Sequence, residues 1–540
     1  MNGRLVTLVN TAPMRPRSQW LIFPESRRGN HTHDTGMGKL EEYLVYSVPH
    51  IPTFRRPMST SATGVRFPLD PSGSRSTGRL AKDVVADALV TANPSAAERV
   101  HRIKDWRKGY IEPFTELVSV GVHDAGHWDG VARAALDSLQ SRMVGAHDVN
   151  GETVETPMKD YLAVVAATST PGTETITGTA EPEQTLTLPY RGENLSGAAL
   201  RDHLDRWVSR GVIEPSCADA LRRVQDNPDW LSLPGRAMLV LGLGSEMGPA
   251  RQLLRWGADV MGVDLPSSPA WDRFRSATDQ FAGRLHIPTD ADGRPGINLL
   301  TELPELAAWA RAAAPAPLTV GSYFYADGGT HVQLSSAADA LVVDLLSDST
   351  ADALAYLATP MDTFVVPADV RQASDAAYAA RKPTDIKKIV GTLTGGKMFQ
   401  RNYAPGSGPA VHDALVPQQG PNYTLAKRVQ RWRATTAFAE GRTVSVNVAP
   451  ATDTYSVTKN KILANTYKGA DAFGIEIFEP STSSVMLAAL MVHDLNVGRP
   501  SVDVQWQHES SGAASGGLWR QPYLPRTALP VAALLGTVKR

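Results

Sequence analysis

Residues Leu239–Asp264 read LVLGLGSEMGPARQLLRWGADVMGVD. An apolar run meets Gly242, a short amphipathic stretch follows, and a second apolar run closes on an acid. Continuous apolar runs of this kind suit strands buried on both faces, so the pattern predicts strand, turn, helix, strand. Gly242, Gly244 and Gly248 fall where the first strand must turn into the helix. Glycine takes backbone angles closed to other residues and lets a phosphate approach the chain amides. PARQLLRWG supplies the helix, whose N-terminal end favours an anion. Asp264 ends the second strand, where a carboxylate accepts from both ribose hydroxyls and repels a 2′-phosphate. That favours NAD over NADP. The spacing Gly-x-Gly-x-x-x-Gly is one residue longer than the usual dinucleotide fingerprint. S-adenosylmethionine enzymes also use a strand, a glycine turn and a closing acid, so both cofactors stay open at this point.

Outward from this stretch the texture repeats. AMLVLGLG, ADVMGVD, PLTVGSY, DTFVVPA, KKIVGTLTG and TVSVNVAP are apolar runs separated by helical segments. Such alternation predicts an α/β fold, a doubly wound parallel sheet of Rossmann type over residues 191–540. Residues 1–80 are rich in Pro, Ser, Arg and Gly and read as an irregular arm. Residues 81–190 read as a mostly helical N-terminal domain and linker. AKDVVADALVTA and GVARAALDSLQSRMV carry its helices, and TSTPGTETITGTAEPEQTLTLPY is a linker or a strand-and-loop connection.

With 540 residues, two domains are the default. Lys and Arg number 54 against 55 Asp and Glu, which argues against nucleic acid held on a broad basic face. The one cysteine, Cys217, excludes an internal disulfide and points to a reduced, cytoplasmic setting. No apolar stretch reaches the roughly 18 residues of a membrane helix, and the N-terminus is too polar for a signal peptide. The expected partner is a small-molecule substrate, with a possible homo-oligomer formed through helices. NHTHD (His31, His33, Asp34) and VHDAGHWDG (His123, Asp124, His127, Asp129) gather metal-capable side chains. Asp124 also reads as a helix cap, the simpler account, and no metal is expected.

A second constellation lies in GPNYTLAKRVQRWRATTAFAEGRTVSVNVAPATDT, where Tyr423 and Lys427 are four residues apart on one helix face. A tyrosine hydroxyl titrates near 10; an adjacent ammonium lowers that value and makes it a usable acid–base. Tyr455 and Lys459 in YSVTK repeat the spacing. After Lys427 come the rest of the helix, the strand GRTVSVNVAP ending in Pro450, and Thr454.

In these residues the chain resembles the short-chain dehydrogenase/reductase family, over about residues 236 to 500. That family has a Tyr-x-x-x-Lys helix, a following strand of the form VNxVxP, and a threonine just past the proline. The resemblance implies NAD or NADP as cofactor and hydride transfer between it and a carbonyl or alcohol. Tyr423 would donate or accept the proton. Lys427 would lower its pKa and hold the nicotinamide ribose. Gly242, Gly244, Gly248 and Asp264 would complete the cofactor site. The family's serine, at the end of the strand before the tyrosine helix, would be replaced by Thr394 in KKIVGTLTGG, with Thr392 as the alternative. VVPA (Val365 to Ala368) would stand for the family's NNAG. Tyr455 falls in the segment that would cover the substrate, and EPSTSSVMLAALMVHDL is similar to the family's late helix. Apart from the resemblance, YFYADGGTH (Tyr323–His331) is a glycine turn dense in polar and aromatic groups that reads either as the lining of a substrate pocket, with ASGGLWRQPY closing over it, or as a plain loop. The alternatives are an S-adenosylmethionine-dependent methyltransferase and a non-catalytic nucleotide-binding protein.

Overall fold

The run ending at Gly242 is a strand at the middle of a seven-stranded sheet. In chain order the strands are β1 (Gly172–Thr177), β2 (Ala237–Leu241), β3 (Asp259–Val263), β4 (Arg284–Thr289), β5 (Leu318–Ser322), β6 (Ala351–Ala358) and β7 (Thr443–Val448). Across the sheet they lie in the order β7-β6-β5-β2-β3-β4-β1. All neighbours are parallel except the edge strand β1, which runs antiparallel to β4. The computed structural model describes residues 63–382, 385, 387 and 392–538. Its architecture is α/β with a mostly parallel central sheet.

Every residue of β2 is buried. Alternate side chains go to opposite faces, as a pleat requires: Leu239 and Leu241 join one core, Met238 and Val240 the other. Helices cover both faces. On the first lie α1 (Thr77–Leu89), α2 (Ala125–Arg142), α5 (Leu303–Ala313), α6 (Gly329–Ser347) and α7 (Pro421–Ala439). On the second lie α3 (Pro215–Asp226), α4 (Ala250–Arg255) and α8 (Pro480–Val497). Burying one large aliphatic side chain is worth about 1.5–3 kcal/mol, so the doubly covered sheet is the chief stabilising element.

Several expectations need correction. The helices of 81–190 do not form a separate domain: Val84 and Leu139 pack into the same core as Leu341 and Val429. Of the two readings of TSTPGTETITGTAEPEQTLTLPY, linker or strand-and-loop connection, the second holds: it supplies β1, so position 190/191 is not a boundary. Residues 1–62 of the expected arm lie outside the described residues, whereas Gly64–Arg66 pairs with Val144–Val149. DTFVVPA is not in the main sheet; Thr363–Val366 pairs antiparallel with Ala410–Asp413 in a separate two-stranded sheet. In KKIVGTLTGG, Thr392 and Leu393 are helical and Thr394 lies in a turn. The strand that enters the sheet before the tyrosine helix is β6.

Candidate functional site

The strands β2 and β5 are neighbours, but the chain leaves β2 toward β3 and leaves β5 toward β6. The order therefore reverses between them, and their C-terminal ends are where an open parallel sheet usually forms its ligand crevice. Leu241 pairs with Ser322 at this edge. The glycine turn enters the crevice from one side and the loop Tyr323–Gly328 from the other.

The turn is tight and largely self-satisfied. Gly242 has φ 93°, and a Cβ there would lie 2.6 Å from the Phe324 amide nitrogen. A Cβ on Gly244 would meet the Asp264 carboxylate at 3.1 Å and the Arg273 guanidinium at 3.3 Å. One on Gly248 would touch Ser245 at 3.3 Å. These glycines are needed first by the chain's own packing. The Gly242 and Leu243 amides donate to the Val263 carbonyl, and the Gly244 amide donates to Asp264 Oδ2 at 2.8 Å. Asp264 Oδ1 accepts from the Leu265 amide at 2.8 Å. A carboxylate offers about four lone-pair positions, so Asp264 keeps capacity for ligand hydroxyls. The helix after the turn, α4, is only six residues long. Arg273, exposed and beside Gly244, carries no motif that marks it in the sequence.

Across the crevice α7 presents Tyr423 and Lys427. Pro421 opens the helix, where its missing N–H costs nothing. The Tyr423 hydroxyl lies close enough to the side chain of Thr359, the residue that follows β6, for Thr359 to act on its titration. Burial pushes the Tyr423 pKa up to about 12; Thr359 opposes the rise and Asp362 adds to it. The lowering expected from Lys427 is thus not present. Lys427 Nζ donates instead to the Leu357 carbonyl at 3.3 Å and Gln430 Oε1 at 3.2 Å. Burial brings its pKa down to about 8, against a smaller opposing pull from Asp362. The aromatic wall is continuous: the His331 ring lies 5.4 Å from that of Tyr423 and 5.5 Å from that of Tyr325. Tyr467, on the helix Lys461–Ala470, also acts electrostatically with Tyr423.

The site is bolted down from beneath. Asp362, three residues past Thr359, is buried and accepts from Arg428 at 2.7 Å and Arg431 at 2.8 Å. Arg431 also donates to Glu509, which is buried too. Burial alone would raise the Asp362 carboxyl, but the two guanidiniums outweigh it and hold it below the usual range. This network ties α7, which carries Tyr423 and Lys427, to the loop that carries Thr359.

Thr394 is not part of this site. Its hydroxyl accepts from the Met398 amide at 3.3 Å within a local turn. Thr392 is exposed on the same segment. Thr359 occupies the strand-end position expected of them. Nor does VVPA hold the place expected for it, since the loop beside the glycine turn is Tyr323–Gly328 after β5. Of YFYADGGTH, Tyr325 is exposed beside the crevice, whereas His331 is buried behind it. ASGGLWRQPY does not cover it: Trp519 is buried against Phe364, and Arg520 pairs with Glu214 and Asp369. Tyr455 is 69% exposed on the four-residue helix Tyr455–Thr458, and its amide donates to Glu246 of the glycine turn at 2.9 Å. Asp124 caps α2 by accepting from the His127 amide at 2.8 Å, while His31, His33 and Asp34 lie outside the described residues. No helix among the described residues is long and apolar enough to cross a membrane. Comparison of the chain with protein-family models and with curated proteins found no match.

Proposed function

We propose that the chain is an NAD(P)-dependent oxidoreductase of the short-chain reductase type, acting on a carbonyl or alcohol of a small molecule. The observation that carries this reading is that Thr359, at the end of the strand before the tyrosine helix, lies beside Tyr423, one helical turn before Lys427. A hydroxyl at the end of the strand before the tyrosine helix is what the family resemblance calls for. Counting from β2, the six parallel strands run 3-2-1-4-5-6, which supports a Rossmann-type sheet built of two nucleotide-binding halves. Asp264 fits the adenosine ribose of NAD, because its carboxylate keeps lone pairs beyond the two amides it caps.

In this reading Thr359 donates to the substrate oxygen and holds it against Tyr423. Tyr423, protonated at neutral pH, gives its proton to that oxygen as the alcohol forms. Its high pKa makes reduction the easier direction near neutrality, and the reverse reaction gains as pH rises. Lys427 holds the ribose hydroxyls with donors now directed at Leu357 and Gln430. NAD(H), when bound, supplies or accepts the hydride at the carbonyl carbon.

A second reading has its own support. Glu246 and Glu479 act together on Asp453 and raise its carboxyl, after burial as the larger cause. Three carboxylates beside the glycine turn suit a cationic sulfonium better than a pyrophosphate, as in an S-adenosylmethionine-dependent methyltransferase. Thermal shifts with NADH, NADPH and S-adenosylmethionine separate the two, since a ligand bound only by the folded state adds about 2.7 kcal/mol at a hundredfold excess over Kd. NADH should stabilise most, with NADPH weaker because of Asp264. Asp264→Ser should narrow that gap. Stabilisation by S-adenosylmethionine alone would end the reductase reading.

A further inference from the structure

His331 stands at the third position of α6, just past Gly328, whose φ is 64°. It is 1% exposed, and its ring is flanked by Phe324, Tyr325 and Tyr423. Neither Nδ1 nor Nε2 has a hydrogen-bond partner among the described residues. Buried polar groups are nearly always paired, so a ring whose two nitrogens find no partner among the described residues is suited to a polar group from outside them. A phenyl ring would fill the same aromatic nest without that penalty. Burial first, and the Lys427 ammonium second, bring the imidazole pKa down to about 3, so the ring is neutral under all ordinary conditions. A neutral imidazole carries one donor and one acceptor, which matches a hydroxyl or a carbonyl.

We propose that His331 is the recognition residue for a second polar group on the substrate, a hydroxyl or carbonyl adjacent to the carbonyl that faces Tyr423 and Thr359. The substrate class is then a hydroxy-ketone or diketone and not a simple ketone. The inference rests on the reductase reading for the identity of the reacting group, whereas recognition itself is a binding event. A site built to hydrogen-bond a substrate hydroxyl rejects an analogue that lacks it far more strongly than an apolar pocket separates sizes.

The test uses cyclohexanone and 2-hydroxycyclohexanone as matched probes on the full chain. Their binding is measured by calorimetry, and their turnover by oxidation of NADH and NADPH. The parent protein should bind the hydroxy-ketone at least about tenfold more tightly. His331→Phe should abolish the difference, and His331→Asn, which restores a donor and an acceptor, should recover part of it. His331→Phe should also melt higher than the parent by about 1 °C or more, because an unpaired polar ring has been removed. Equal binding of the two ketones by the parent, or no binding of either, overturns the proposal. So does a preference that survives in His331→Phe, or a lower melting point in that variant. A preference that depends on His331 without oxidation of either nicotinamide cofactor upholds the recognition role and defeats the reductase reading, so the two failures are distinct.

Discussion

Tyr423–Lys427 and Tyr455–Lys459 share one spacing in one chain, yet the fold treats them in opposite ways. The first pair sits on a 19-residue helix packed between the sheet and a buried ion network. The second begins on a four-residue helix, with Tyr455 and Lys459 both exposed. Spacing places two side chains on one face; it does not decide what that face meets. Burial brings the Lys427 pKa down toward neutrality but raises that of Tyr423 away from it, so Tyr423 stays protonated at neutral pH. The Tyr455 ring faces solvent.

The largest expected effect follows directly. Tyr423→Phe keeps the ring and removes the proton, so carbonyl reduction should fall by about 10²–10⁴-fold with little change in cofactor binding. Steady-state kinetics on a carbonyl substrate would measure it. Next comes the scaffold. Asp362→Ala leaves Arg428 and Arg431 buried without their shared partner and should cost about 3–5 kcal/mol in urea denaturation. Because the two arginines hold Asp362 below its ordinary range, its contribution is present above about pH 4 and is lost as pH falls below that.

Lys427 should act in the opposite sense. Its folded-state pKa of about 8 lies below the unfolded value, so below pH 8 the folded chain carries a disfavoured buried charge. Lys427→Met should therefore stabilise the protein at neutral pH by ~1–3 kcal/mol, less the hydrogen bonds to Leu357 and Gln430. That advantage should shrink between about pH 8 and 10.4, where the parent sheds the proton while folded. Melting curves at several pH values would show it; a constant difference would mean that the amine is not the titrating group. Smallest of all, Tyr455→Phe and Lys459→Met should change stability by no more than about 0.5 kcal/mol and leave turnover nearly intact.

The glycine turn, both strands beside it and the tyrosine helix were legible because each has a strong local signature. Gly242 stops an all-apolar run, and Pro421 opens a long helix. β6 was not legible. ADALAYLA is rich in alanine and leucine, the best helix formers, and becomes a strand only because β5 and β7 flank it. Missing that strand hid Thr359 and moved the search to Thr394, whose β-branched neighbourhood looks strand-like. His331 lay within the stretch YFYADGGTH that the sequence offers as pocket lining, but its two open nitrogens and its aromatic neighbours exist only once the chain has folded. The merger of residues 81–190 with the sheet's core was equally unreadable, because it depends on which helix faces meet.

The central claim is that Tyr423, and not Tyr455, serves a hydride transfer in this crevice. Deuterium transfer from [4-²H]-labelled NADH to 2-hydroxycyclohexanone, followed by mass spectrometry of the alcohol, tests it most directly. The account predicts deuterium in the product with the parent and with Tyr455→Phe, and a loss of about 10²–10⁴-fold in the rate with Tyr423→Phe. No transfer by the parent, or transfer abolished by Tyr455→Phe and untouched by Tyr423→Phe, would contradict it.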